Sequence, residues 1–115
     1  MSFVVTMSLV MGFLSFESRA DSKTEYIVID VRTSGEYAEG HVEGALNMDI
    51  YESSFRARLS ALDKSKSYKV YCRSGNRSGQ AERLMKSMGF KDVENMGSLG
   101  QALRKTKQSC KGKLC

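Results

Sequence analysis

Cys72 closes an apolar-alternating strand, Tyr68 to Tyr71, and is followed at once by Arg73-Ser74-Gly75-Asn76-Arg77-Ser78 and then by helix-forming residues. A thiol at a strand-to-helix turn is well placed for anion chemistry. Successive backbone N–H groups in such a turn can point inward as a nest, and the next helix directs its positive end there. Arg73 and Arg77 contribute two permanent cations, with forked donors suited to sulfonate or phosphate oxygens. All of these favour thiolate over thiol. A fall in pKa from about 8.5 to about 6.5 would raise the ionised fraction at neutral pH from a few per cent to roughly three quarters. A cysteine that merely fills a core has no use for flanking cations, so this turn is expected to hold a sulfur nucleophile inside an anion-binding loop.

Short apolar strands and amphipathic helices alternate around that turn. Tyr26-Ile27-Val28-Ile29 is a continuous apolar run ending at Asp30, the pattern of a strand covered on both faces. Thr33 and Glu36 fit a capping box, with about one and a half helical turns before Gly40. His41 to Met48 reads as extended, with Gly44 free to turn. A helix is predicted from about Ser54 to Leu62, with Phe55, Leu59 and Leu62 on one face. After Cys72, Ala81, Leu84, Met85 and Met88 fall at helical spacing from Ser78 to Met88, and Gly89 is placed to end that helix. Phe90 to Met96 reads as a last strand and Gly97 to about Lys107 as a loop and helix. Such alternation predicts an α/β fold, a parallel sheet with helices on both faces. Ligands of such sheets bind beyond the carboxyl ends of the strands, where Asp30 and Cys72 both fall.

The ends of the chain differ from this middle. Residues 1–20 hold an apolar stretch, Phe3 to Phe16, followed by Ser18-Arg19-Ala20 with small residues where a signal peptidase reads. A removable export signal is expected there rather than a membrane anchor, although Met1-Ser2 lacks the usual Lys or Arg. One domain is expected over 21–107 and a basic tail over 108–115. From Arg104 to Cys115 there are five basic residues and no acid, which accounts for the whole net charge of +5. Without an aromatic residue this end is expected to be a solvated terminus rather than a nucleic-acid arm. Cys110 and Cys115 can close a small disulfide in an oxidising compartment, leaving Cys72 unpaired. A single histidine and no second cysteine pair argue against a zinc site. No C-x-x-C pair is present for thioredoxin-like redox chemistry.

Three stretches, in this order, resemble the rhodanese (sulfurtransferase) domain family: Asp30-Val31-Arg32 with Glu36-Tyr37; Gly40 to Asn47, GHVEGALN; and Cys72 to Ser78, CRSGNRS. The resemblance covers about residues 25–103 and is similar to the small single-domain periplasmic rhodaneses of the phage shock protein E type. It implies a three-layer fold with a small parallel sheet of about five strands. It further implies thiosulfate sulfurtransferase activity through a Cys72 persulfide, passed on to cyanide or a thiol, with no cofactor and no metal. Position by position, Cys72 matches the nucleophile, Arg73, Ser74, Gly75, Asn76, Arg77 and Ser78 the loop that cradles substrate, and Asp30 and Arg32 residues that support the loop. His41 matches a motif position not thought to be catalytic, and a structural histidine is expected there. Ser98 stands where a second glycine is common, and Leu103-Arg104 near a position often taken by tryptophan. The partners implied are a small-molecule sulfur donor and acceptor, with no nucleic acid, no stable membrane anchor and a monomeric chain. The location implied is periplasmic, with cytoplasmic as the alternative.

Two other functions compete. Phosphatase and arsenate-reductase loops hold five residues between cysteine and arginine, whereas four separate Cys72 from Arg77. The tighter ring suits a single projecting sulfur better than a tetrahedral oxyanion. The second is non-enzymatic: a persulfide carrier or a docking module for a protein partner, which shares the first half-reaction.

Overall fold

The computed structural model describes residues 25–115. The leader expected over 1–20 lies outside the described residues. Ten elements follow in order: β1 Ile27–Asp30, α1 Ser34–Glu39, β2 His41–Val42, β3 Leu46–Asn47, α2 Phe55–Ser60, β4 Ser67–Cys72, α3 Asn76–Ser87, β5 Asp92–Ser98, α4 Leu99–Thr106 and β6 Cys110–Lys111. Four of the strands form one sheet in the order β3-β1-β4-β5, and every pairing in it is parallel. The about five strands expected are thus four in the parallel sheet, with a separate antiparallel pair, β2 and β6, beside it. The extended stretch after Gly40 is split between them. Its first part pairs with the C-terminal tail and its second part with β1.

Strand parity divides the interior. Ile29, Tyr68, Val70 and Cys72 face one cluster, filled by Phe55 and Leu59 of α2 and Ala81 and Met85 of α3. Val28 and Tyr71 face the other, with Met96, Val42 and Ala102, and with Tyr37 of α1 and Leu99 and Leu103 of α4 packed against it. Two apolar faces require two covering layers, and the result is a three-layer α/β domain. Because Cys72 follows Tyr71 on β4, the two side chains lie on opposite sides of the sheet.

Helix starts follow local chemistry. α1 opens on a capping box, in which Thr33 Oγ1 accepts from Glu36 N–H at 3.2 Å and Glu36 Oε1 accepts from Thr33 N–H at 3.1 Å. α4 opens on another. Ser98 Oγ accepts from Gln101 N–H at 3.2 Å, and Gln101 Oε1 accepts from Ser98 N–H at 2.9 Å. A serine at 98 therefore caps the last helix rather than disturbing it. α3 begins at Asn76, two residues before the predicted start, because Gly75 precedes it with φ of 100° and turns the chain directly into the helix.

The tail differs most from expectation. Apart from the half-buried Cys110 its side chains are exposed, but its backbone is not a free terminus. Lys111 pairs with His41 and Cys110 with Val42, Glu43 N–H donates to the Ser109 carbonyl at 2.8 Å, and Cys110 and Cys115 are joined by a disulfide.

Candidate active site

β1, β4 and β5 end at the same rim of the sheet, which carries Asp30, Cys72 and Ser98 together. The loop after Cys72 folds back over its own sulfur. Gly75 N–H donates to Cys72 Sγ at 3.0 Å, and Ser78 Oγ lies 3.3 Å from the same atom. Cys72 is the one free cysteine among the described residues and is fully buried, facing the loop. Burial opposes ionisation, yet the Ser78 hydroxyl and the N–H groups of Ser78, Gly75 and Ser74 outweigh it, and the thiol lies below its ordinary value. These hydrogen bonds, rather than guanidinium charge, are the main favourable contributions.

The two arginines have different environments. Arg77 is ion-paired through both nitrogens with Glu36, Nη1 to Oε1 at 2.8 Å and Nη2 to Oε2 at 3.1 Å. The Arg77 hydrogen bonds, with help from Thr33, hold the Glu36 carboxyl down at about 2, against burial, so the pair is ionised at every physiological pH. The ring of Tyr51 lies 5.8 Å from the Arg77 guanidinium, and Tyr51 itself is exposed. Arg73 is exposed and makes no hydrogen bond or ion pair among the described residues. Ser74 and Asn76 are also exposed, and Ser74 Oγ accepts from Asn76 N–H at 3.3 Å.

Asn95 ties the loop to β5. Its Nδ2 donates to the Gly75 carbonyl at 3.0 Å, and its Oδ1 accepts from Gly97 N–H at 2.9 Å and from Ser78 Oγ at 2.7 Å. Ser78 has one hydroxyl proton, so Asn95 and Cys72 compete for it. Where β5 runs past β4, Val70 faces Asn95 and Tyr71 faces Gly97, leaving Met96 as an extra residue. That bulge offsets Asn95 toward the loop.

Asp30 and Arg32 sit behind the loop in a buried cluster. Arg32 Nη2 donates to Asp30 Oδ2 at 2.7 Å and to the Gly40 carbonyl at 2.6 Å, and Arg32 Nε donates to Asp30 Oδ1 at 2.9 Å. Tyr71 OH donates to Asp30 Oδ2 at 2.7 Å and accepts from Val42 N–H at 3.0 Å. Burial, then the Asp30 charge, push the Tyr71 phenol far above its ordinary value, so it remains a donor. His41 is away from the sulfur. Its ring stacks on Tyr37 at 3.6 Å, and Nδ1–H donates to the Tyr37 carbonyl at 2.7 Å.

Sequence reasoning placed Cys72, its loop, Asp30 and Arg32 but assigned no site role to Glu36, Tyr71 or Asn95. In sequence Glu36 stands out as a helix cap and as part of the first family-like stretch, not as the partner of Arg77. Asn95, a poor strand former inside a strand, was the available signal for a residue retained for its hydrogen bonds. A broad hollow lined by Tyr26, Ile27, Leu46, Lys66 and Gln108 lies at the opposite, amino-terminal end of the strands and contains none of these groups. Among the described residues no group of three His, Cys, Asp or Glu side chains is arranged to hold a metal, and no helix is long and apolar enough to cross a membrane.

A profile of the rhodanese-like domain matches residues 16–98. The chain belongs to the rhodanese-like domain family. It is 42% identical over 71 residues to the thiosulfate sulfurtransferase PspE of Escherichia coli, covering 62% of this chain and 68% of that protein. It is 30% identical over 82 residues to a sulfurtransferase of Allochromatium vinosum, covering 71% of this chain and 75% of the relative. A rhodanese with anions from E. coli superposes with a TM-score of 0.64 at 34% identity, over 76% of this chain and 99% of that one. The rhodanese domain is thus similar to a thiosulfate sulfurtransferase and a sulfurtransferase.

Proposed function

We propose that this rhodanese domain is a thiosulfate sulfurtransferase in which Cys72 carries the sulfur. The observation that supports the reading most directly is the ring of donors closing on Cys72 Sγ, which lowers its pKa without a neighbouring base. In the first half-reaction the Cys72 thiolate attacks the outer sulfur of thiosulfate. A Cys–S to sulfur bond forms, the sulfur–sulfur bond of the donor breaks, and its electron pair leaves with sulfite. A thiolate and a dianion become a persulfide anion and a dianion, so charge balances and no proton moves. No general base is therefore needed. In the second half-reaction cyanide or a thiolate attacks the outer persulfide sulfur and regenerates the Cys72 thiolate.

The named loop residues divide this work. The N–H groups of Ser74, Gly75 and Ser78 favour the anion on Cys72 and then on the terminal persulfide sulfur. Arg73, exposed and without a partner among the described residues, is placed to meet the departing sulfonate, whereas Arg77 is held in its pair with Glu36 and shapes the loop. Asn76 and Ser74 line the exposed side of the loop. Asp30 and Arg32 hold the strand end behind it. Export to the periplasm, with cleavage near Ala20, is part of the same proposal, and the mass of the mature protein from a bacterial host checks it.

The decisive experiment is intact mass after incubation with thiosulfate and removal of excess donor. The parent should gain one sulfur atom, and Cys72→Ala should gain none. Equal gain in both, or none in a folded parent, would remove Cys72 as the carrier.

A further inference from the structure

The C-terminal tail makes contacts that a solvated terminus would not need. β6 pairs with β2, Leu114 N–H donates to the Glu39 carbonyl at 2.7 Å, and Glu43 N–H donates to the Ser109 carbonyl at 2.8 Å. Gly112, with φ of 133°, runs so close that a Cβ there would lie 2.7 Å from the Glu39 carbonyl group and from Gly40 Cα. The Cys110–Cys115 disulfide closes this strap, and both sulfurs lie against Gly40.

The segment under the strap is tied in two ways to residues near the Cys72 end of the sheet. The Gly40 carbonyl and Val42 N–H are partners of Arg32 and Tyr71, which hold Asp30. Glu39 ends α1, a helix of only six residues with no fully buried side chain, and the tail satisfies one of its terminal carbonyls. The same short helix carries Glu36, which holds Arg77 in the loop. An end of α1 released from the tail loosens the anchor of Arg77.

We propose that the Cys110–Cys115 disulfide is a redox-sensitive strap that sets the order of α1 and, through Glu36 and the Asp30 cluster, the order of the Cys72 loop. Cys115 and the flanking Lys111 and Lys113 are exposed, so a dithiol reductant can reach the bond. One thiolate of the dithiol attacks a tail sulfur and the Cys110–Cys115 bond breaks. The second thiol of the reductant then closes its own disulfide. Two electrons and two protons end on Cys110 and Cys115. Tyr71 and Cys72 lie on opposite faces of the sheet, so the strap acts on the loop through backbone and ion pairs rather than by contact with the sulfur.

Hydrogen exchange on the full chain tests the strap independently of sulfur transfer. Oxidised parent, parent kept reduced with a dithiol, and Gly112→Val, which blocks the close approach while keeping both cysteines, are compared. Amides of Gly40, Val42 and Glu43 should exchange at least about tenfold faster in the reduced protein and in Gly112→Val than in the oxidised parent. Equal exchange in the oxidised and reduced parent, or peptide mapping that finds both tail cysteines free after air oxidation, overturns the proposal. The link to the loop is read in Cys110→Ser/Cys115→Ser, which needs no reductant. Persulfide formation on Cys72 should slow about three- to tenfold relative to the oxidised parent, and an unchanged rate refutes the coupling. This last arm rests on the sulfur-transfer assignment, and the exchange arms do not.

Discussion

At Cys72 two effects oppose each other. Complete burial disfavours the thiolate, while one hydroxyl and three backbone N–H groups favour it, and the donors prevail. Ser78 supplies the side-chain part of that balance, and its proton is shared with Asn95 at a shorter distance. As Cys72 ionises, the hydroxyl gains more by turning to the sulfur, since bonds to an anion are the stronger ones. Ser78→Ala removes this response and leaves the backbone donors. The thiol should then ionise at higher pH. The sign follows directly: a group whose pKa is lowered by donors loses that lowering with the donor, so reactivity at neutral pH drops and recovers as pH rises. We expect alkylation of Cys72 near pH 7 to slow about three- to tenfold and to match the parent in alkali, where both are fully ionised. Superimposable pH–rate profiles would remove Ser78 from this role.

Between elements, the Tyr71 hydroxyl joins three of them, β4 on which it lies, Asp30 at the end of β1 and Val42 on β2. Tyr71→Phe keeps the ring in its apolar cluster but leaves a buried N–H without an acceptor and a buried carboxylate short of one donor. Such losses cost about 2 to 3 kcal/mol, which urea unfolding can measure, and a change below about 0.5 kcal/mol would show that the hydroxyl is not needed. The elements themselves were largely legible in sequence because their causes are local. The capping box at Thr33 and Glu36, the apolar run into Asp30 and the spacing of Ala81 to Met88 each announce one element. The pairing of β2 with β6 was not legible. Each strand is two residues long and forms because the disulfide and Gly112 bring the tail to Glu39, a tertiary event that short polar sequences do not signal. The Cys72 loop was legible for the same local reason, whereas the partner of Arg77 lies 41 residues earlier and was not. For that reason the two arginines looked alike in sequence and differ in the fold.

For the molecule as a whole, the apolar cluster that stabilises the domain and the donors that shape the sulfur site meet at Cys72 but are different groups. The cluster that includes Cys72 is covered by α2 and α3, and α2 docks on it through Phe55 and Leu59, with no side-chain cap from Ser54. The donors around the sulfur come instead from the loop backbone and Ser78, and Asn95 holds the loop through the Gly75 carbonyl. Stability and site geometry should therefore respond differently to a core deletion that removes no donor to the sulfur. Leu59→Ala empties a fully buried site and should destabilise the domain by about 2 to 4 kcal/mol, a large part of the 5 to 15 kcal/mol typical of a small domain. Under conditions where the variant is still folded, its rate of persulfide formation should stay within about twofold of the parent, since no donor to Cys72 has moved. Urea unfolding gives the first quantity and a single-turnover reaction with thiosulfate at low temperature the second. A rate that falls well beyond the loss of folded protein would mean that the apolar layer positions the sulfur as well as supporting the sheet. The loop would then depend on its core and not on its own hydrogen bonds.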